Sequence, residues 1–192
     1  MRIAICPGHH TNAKGAENKK HKLTENDVAI EIIKIAEELL RADGHTVQVF
    51  AGKLSEKVKR INATVPKFDL AFDLHFNADA ELEDTDDKKG YGVMVMHYPT
   101  SAARKSQADK MSAAIAKKLG ERDLGGRKGL YWGGSDPGTK PDYFTDKTNC
   151  PAFIPEPGYI DNNGFAKKFL TTKEGLTKVA ESLVEAVRAF EA

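Results

Sequence analysis

The chain of 192 residues, 40% hydrophobic and 30% charged with 16 Gly and 8 Pro, suits one globular domain and lies outside the collagenous, low-complexity and disordered classes. Its 29 Lys and Arg against 28 Asp and Glu leave a net charge of +1, which supplies no field to gather nucleic acid or an anionic membrane surface. Two cysteines, Cys6 and Cys150, are too few for a disulfide framework and form no Cys-x-x-Cys pair, so any metal must be held by histidine and carboxylate.

Residues 3–5 are an apolar run closed by Pro7-Gly8 and read as a first buried strand. The run is far shorter than the apolar region of a signal peptide, and no stretch reaches the ~20 apolar residues of a membrane span. The expectation is therefore synthesis in the cytoplasm without a signal peptide, and no membrane insertion. Between 25 and 40, Val28, Ile32, Ile35, Ala36 and Leu39 recur at helical spacing behind a Thr24 cap, and Asp43-Gly44 ends the helix. Residues 45–50 alternate as a strand, and Leu54, Val58 and Ile61 mark a helix over 54–63. Strands follow at 68–72 and 92–96, then a helix over 107–119 with Met111, Ala114, Ile115 and Leu119 inward. A short strand at 151–154 precedes a closing amphipathic helix over 176–190, with Leu176, Val179, Ala180, Leu183, Val184 and Val187 on its apolar face.

Strands separated by helices imply βαβ crossovers: a single α/β domain with a mainly parallel, twisted sheet of about six strands and helices on both faces. The polar stretches 11–22, 79–89 and 132–149 read as long loops, which in a compact domain tend to carry function.

In open α/β sheets a ligand site lies beyond the carboxyl ends of the strands. There the sequence places His9 and His10 after the first strand, His75 after the 68–72 strand and Glu156 after the 151–154 strand, with Glu25 opening the first long helix at the same rim. Two imidazoles and a carboxylate with an open position make a common catalytic zinc site, and a further carboxylate beside it can act as general base. The spacing is dispersed over loops, unlike the compact His-Glu-x-x-His helix. His10 competes with His9, and Glu17 with Glu25. Neighbours in an extended segment point to opposite sides, so only one of His9 and His10 should face the metal. Without further information Glu25 reads as a charge favoured in the first turn of a helix. Glu156 lies between Pro155 and Pro157 in a stiff segment that cannot continue a central strand and could be a surface turn, but the apolar Ala152-Phe153-Ile154 run before it makes it the mouth of a buried strand and a suitable place for a fixed base.

The sequence resembles the type 3 catalytic domain of N-acetylmuramoyl-L-alanine amidases, found in bacterial autolysins and phage endolysins. Cys6-Pro7-Gly8-His9 is similar to that family's Asp-Pro-Gly-His opening, and Lys14-Gly15-Ala16 to the Gly-Ala that follows. Glu25 matches a Glu at the start of the next helix, and Leu74-His75-Phe76-Asn77-Ala78 an apolar-His-x-Asn-Ala segment. The stretch from Cys150 to Asn162 resembles Pro-Ala-x-x-x-Glu-x-Gly-Phe-x-x-Asn. The resemblance spans residues 1–192 as one catalytic domain with no separate wall-binding domain. It implies one zinc on His9, Glu25 and His75, Glu156 as catalytic carboxylate, and peptidoglycan as substrate, cut between N-acetylmuramic acid and L-alanine. With neither a signal peptide nor wall-binding repeats expected, this suits a phage or prophage endolysin, or a cytosolic lytic amidase released late, acting on the cell wall after release. Three positions depart from the pattern: Cys6 stands for Asp, Asp73 for a frequent Ser, and Tyr159 for Phe. If the usual Asp orients a ligand imidazole, another group must do so here. The competing functions are a zinc peptidase acting within the stem peptide and a catalytically silent wall-binding module. A Cys6 thiol nucleophile is disfavoured, since a Cys ending an apolar strand is usually an inert small hydrophobe.

Overall fold

The computed structural model describes residues 1–79, 91–131 and 138–192. The expected loop over 79–89 lies outside them apart from Asp79, as does the 132–137 part of the loop expected over 132–149. The main sheet uses β1 (Arg2–Pro7), β4 (Thr46–Val49), β5 (Leu70–Leu74), β6 (Val93–His97), β7 (Asp123–Lys128) and β8 (Ala152–Glu156), while β2 (Glu17–Asn18) and β3 (Leu23–Thr24) form a small hairpin. The long helices are α1 (Glu25–Ala42), α2 (Leu54–Ala63), α3 (Ala102–Leu119) and α6 (Lys173–Glu191), with short α4 (Tyr143–Lys147) and α5 (Asn163–Phe165). A π-helical turn, Ala166–Leu170, joins α5 to α6.

The sheet order is β4-β1-β5-β8-β6-β7, with β4, β1, β5 and β8 parallel and the β6–β7 pair reversed. The chain leaves β1 through α1 to reach β4 on one side, then returns through α2 to β5 on the other. This change of direction opens a crevice at the carboxyl ends of β1 and β5. Two apolar clusters follow from it. Ile3, Ile5, Phe72 and Phe153 pack with α1, α3 and α6 on one face, while Ala4, Cys6, Ala71 and Ile154 pack with α2 and α4 on the other.

The helices agree with their apolar spacing, with two extensions. α3 starts at Ala102 behind the Ser101 cap and α6 at Lys173 behind the Thr172 cap, because each hydroxyl accepts from a first-turn N–H. In α1 the buried stripe includes Ala29, Ile33 and Leu40, and Ile35 and Leu39 are only partly buried, since the helix packs against α6 as well as the sheet. β7 had no counterpart among the expected strands. Its sequence, Asp-Leu-Gly-Gly-Arg-Lys, lacks β-branched residues, and it holds its place as an edge strand by pairing with β6.

Glu156 corrects one expectation: β8 does continue through Pro155 to Glu156, in the interior of the sheet. Pro155 pairs with Val95 and Glu156 with Met94 on β6. The Pro155 carbonyl accepts from His75 N–H at 3.1 Å on the β5 side. The missing proline N–H faces that same side, where the regular β5–β8 ladder ends at Phe72 and Phe153, so the ring interrupts no β6 bond.

Candidate metal and catalytic site

His9 follows β1 by one glycine and has a left-handed backbone, φ 59°. That conformation costs a non-glycine residue about 1–2 kcal/mol, and it swings the ring back toward α1. Because the segment turns there instead of running extended, both His9 and His10 line the cleft beside the sheet, and strict alternation does not hold. His9 is the one that reaches Glu25, with Nε2 at 2.9 Å from Oε2.

Glu25 is the first residue of α1, behind the Thr24 cap, and is 3% exposed. Its Oε1 lies 2.8 Å from His75 Nδ1 and accepts from Phe76 N–H at 3.1 Å, while Oε2 accepts from Ala16 N–H at 3.1 Å. His75 directly follows β5, so the ends of two adjacent parallel strands and the start of a helix deliver the three side chains. Their ligand atoms all lie within 4.8 Å of one another. Glu17, the competing carboxylate, is exposed on the hairpin and outside this group.

The residues fit a divalent metal on three counts. Two nitrogens and one carboxylate oxygen are a catalytic-zinc donor set. Glycine makes room for them: a Cβ on Gly15, where φ is 79°, would stand 2.5 Å from His9 Nε2 and 2.6 Å from Glu25 Oε2, and one on Gly8 would stand 2.9 Å from the His75 ring. The potential is also suitable. Burial works to raise the Glu25 carboxyl, but hydrogen bonds with His75 and His9 outweigh it and hold it at about 2. Burial likewise opposes charge on His75, and Asp73 and Glu25 overcome it, raising the imidazole well above its usual range. Negative charge concentrated around a half-buried ring is the field a cation neutralises.

Glu156, the last residue of β8, is 6% exposed and lines the same cleft of about 460 Å³ as His9 and His75. Its Oε2 finds no hydrogen-bond partner among the described residues. Burial, reinforced by Glu25 and Asp142 against the pull of His75, pushes its carboxyl up to about 7. An unpartnered carboxyl group with acidity near neutrality suits proton transfer.

Two participants were not read from the sequence. Asp142 caps α4, accepting from Phe144 N–H at 2.8 Å, and burial raises its carboxyl within the cleft wall. Lys57 of α2 is buried against Asp73, its Nζ 2.7 and 2.9 Å from the two carboxylate oxygens. Both left traces: Asp142 precedes a Tyr-Phe-Thr turn as a capping residue does, and Lys57 sits three residues after Leu54 and four before Ile61, on the apolar stripe of α2. Cys6 is fully buried, and burial together with Asp73 raises its thiol, which removes it as a nucleophile.

A family model described as N-acetylmuramoyl-L-alanine amidase matches residues 3–189. A search among curated proteins finds no match. Among solved structures, the N-acetylmuramoyl-L-alanine amidase of Clostridium difficile 630 shares 20% identity at a TM-score of 0.77, covering 99% of this chain and 96% of its own. The catalytic domain of CwlV, an amidase from Bacillus (Paenibacillus) polymyxa, shares 19% at 0.78, covering 99% and 97%. The catalytic domain of the CD27L endolysin targeting Clostridia difficile shares 20% at 0.72, covering 98% and 97%. At these identities the likeness shows a common fold.

Proposed function

The chain belongs to the N-acetylmuramoyl-L-alanine amidase family, and on that premise we propose that it is a zinc-dependent enzyme hydrolysing the amide between N-acetylmuramic acid and L-alanine in peptidoglycan. The observation that carries the proposal is the meeting of His9, Glu25 and His75, with ligand atoms within 4.8 Å, where His9 and His75 line one cleft with the buried Glu156.

His9, Glu25 and His75 would hold the metal. Bound there, zinc supplies Lewis-acid polarisation of the scissile carbonyl and lowers the pKa of water toward ~7. Glu156 acts as general base, accepting a proton from the water that attacks the amide carbon. It then acts as general acid, delivering that proton to the departing L-alanine nitrogen. Burial serves this exchange, because a carboxyl near neutrality both takes and releases a proton at little cost. Leu54, Met96, Leu130, Phe144 and Ile154 form the apolar part of the cleft. Among the described residues no helix is long and apolar enough to cross a membrane.

Mass spectrometry of fragments released from purified peptidoglycan tests the assignment. Stem peptides with a new L-alanine amino terminus and intact glycan strands are expected. New amino termini at D-residues or diaminopimelate identify a stem-peptide peptidase instead, and an inert but zinc-loaded protein identifies a silent binding module. The endolysin role belongs to the same proposal, supported by the fold shared with an endolysin catalytic domain. Purified walls that stay turbid in the presence of the protein and zinc would remove it.

A further inference from the structure

We propose that Asp73, backed by the buried Lys57, is a positioning residue that fixes the His75 ring for metal binding; the inference rests on the metal reading of His9, Glu25 and His75. His75 presents Nδ1 to Glu25 at 2.8 Å, on the side where the three ligand atoms meet. Its other nitrogen, Nε2, faces Asp73 Oδ2 at 3.5 Å. A metal-ligating imidazole commonly gives its second N–H to a carboxylate, which fixes tautomer and orientation and strengthens the ligand. Asp73 stands where that acceptor is needed.

Lys57 serves Asp73 from behind. Both side chains are 1% exposed, and Lys57 Nζ also donates to the Pro7 carbonyl at 3.0 Å, so it touches the ends of both β1 and β5. A buried ion pair is poor evidence of a stabilising role, because apolar groups of similar size usually do as well. Its place behind a ligand ring gives a reason for it beyond stability. The register adds a further point: Cys6, where the family resemblance leads one to expect Asp, is the direct partner of Asp73 on the neighbouring strand. A carboxylate at position 6 would stand one strand away, about 4.8 Å, next to Pro7, whose carbonyl Lys57 already meets.

The test compares zinc affinity, by competition with a chromophoric chelator, in three proteins. Lys57→Met with Asp73→Ser removes both charges and strands neither, and affinity is expected to fall about 10- to 100-fold. Asp73→Ser alone is expected to lose at least as much, and adding Cys6→Asp, with Lys57 intact, to recover most of the loss. A nitrogen-15 spectrum of the zinc-loaded wild type should show a protected His75 Nε2–H signal that exchanges rapidly in the paired neutral variant, a change a merely structural pair would not produce. Should that variant fold poorly, Asp73→Asn decides, with an expected loss of about tenfold because a neutral acceptor polarises the ring less. Affinity within twofold of wild type in whichever variant folds, with the Nε2–H signal unchanged, overturns the proposal. Wild-type zinc stoichiometry and product analysis report separately on the underlying reading: a chain that binds zinc, responds as expected to these variants and releases no L-alanine termini refutes the amidase assignment alone.

Discussion

Replacing Glu156 by Gln should make the metal-free protein more stable and the enzyme nearly inactive. The group is 6% exposed, one of its oxygens has no partner among the described residues, and burial raises its pKa from 4.5 to about 7. At about 1.4 kcal/mol per tenfold change in acidity, keeping this carboxylate ionised costs on the order of 3 kcal/mol, with 1–3 kcal/mol the realistic range once water penetration is allowed for. The sign follows from a raised folded-state value. The stabilising contribution of the neutral carboxyl is complete below pH 4.5 and is lost as pH rises through about 7. Gln cannot ionise, so urea unfolding of chelator-treated protein should show the variant close to wild type at pH 4.5 and about 1–3 kcal/mol more stable at pH 8. Turnover on peptidoglycan should fall by ~100- to 10,000-fold with zinc retained. A variant with the same stability difference at both pH values would show that Glu156 is not a strained buried carboxyl, and a fully active one would remove it from the chemistry.

Three further outcomes are expected. The purified protein should hold about one zinc, and His9→Ala and His75→Ala should each empty the site; full occupancy in both by metal analysis places the metal elsewhere. Glu25→Gln should weaken zinc first and activity as a consequence; in the metal-free protein its carboxylate, held at about 2, contributes stability above pH 4.5 that is lost as pH falls through 2, so the variant's acid unfolding should be flatter over that window by circular dichroism. Gly15→Ala places a methyl within 2.6 Å of His9 and Glu25 at a φ of 79°, so zinc affinity should drop at least about tenfold and stability by about 1–2 kcal/mol, both measurable by titration and thermal unfolding.

The candidate site was legible because three of its residues follow or end strands that show as apolar runs, and strand ends in an α/β sheet share a rim. Glu25 was different. A carboxylate in a first helical turn carries no signature of its own, and only resemblance separated it from a dipole-stabilised surface charge. β7 was illegible because its pairing with β6 makes it a strand where its composition does not. Pro155 misled for a related reason: proline is excluded only where its missing donor is needed, and the ladder that decides this belongs to β5 and β6. Lys57 and Asp73 were visible as oddities, a cation on an apolar stripe and a departure beside a ligand, but their pairing joins a helix to a strand 16 residues away and no local pattern encodes it.

The two unequal faces of the sheet bear on how such a protein can change over generations. The larger apolar cluster, built on α1, α3 and α6, lies across the sheet from the cleft, whereas α2 and α4 supply the smaller cluster and the cleft wall together. Stability and selectivity thus draw on largely different residues. Substitutions at the half-buried Leu54 or Leu130 can retune what the cleft accepts while the thicker layer behind the sheet keeps the chain folded, and losses in that layer deplete folded enzyme before they alter its preference. This separation leaves the catalytic wall free to diverge while the scaffold is held fixed.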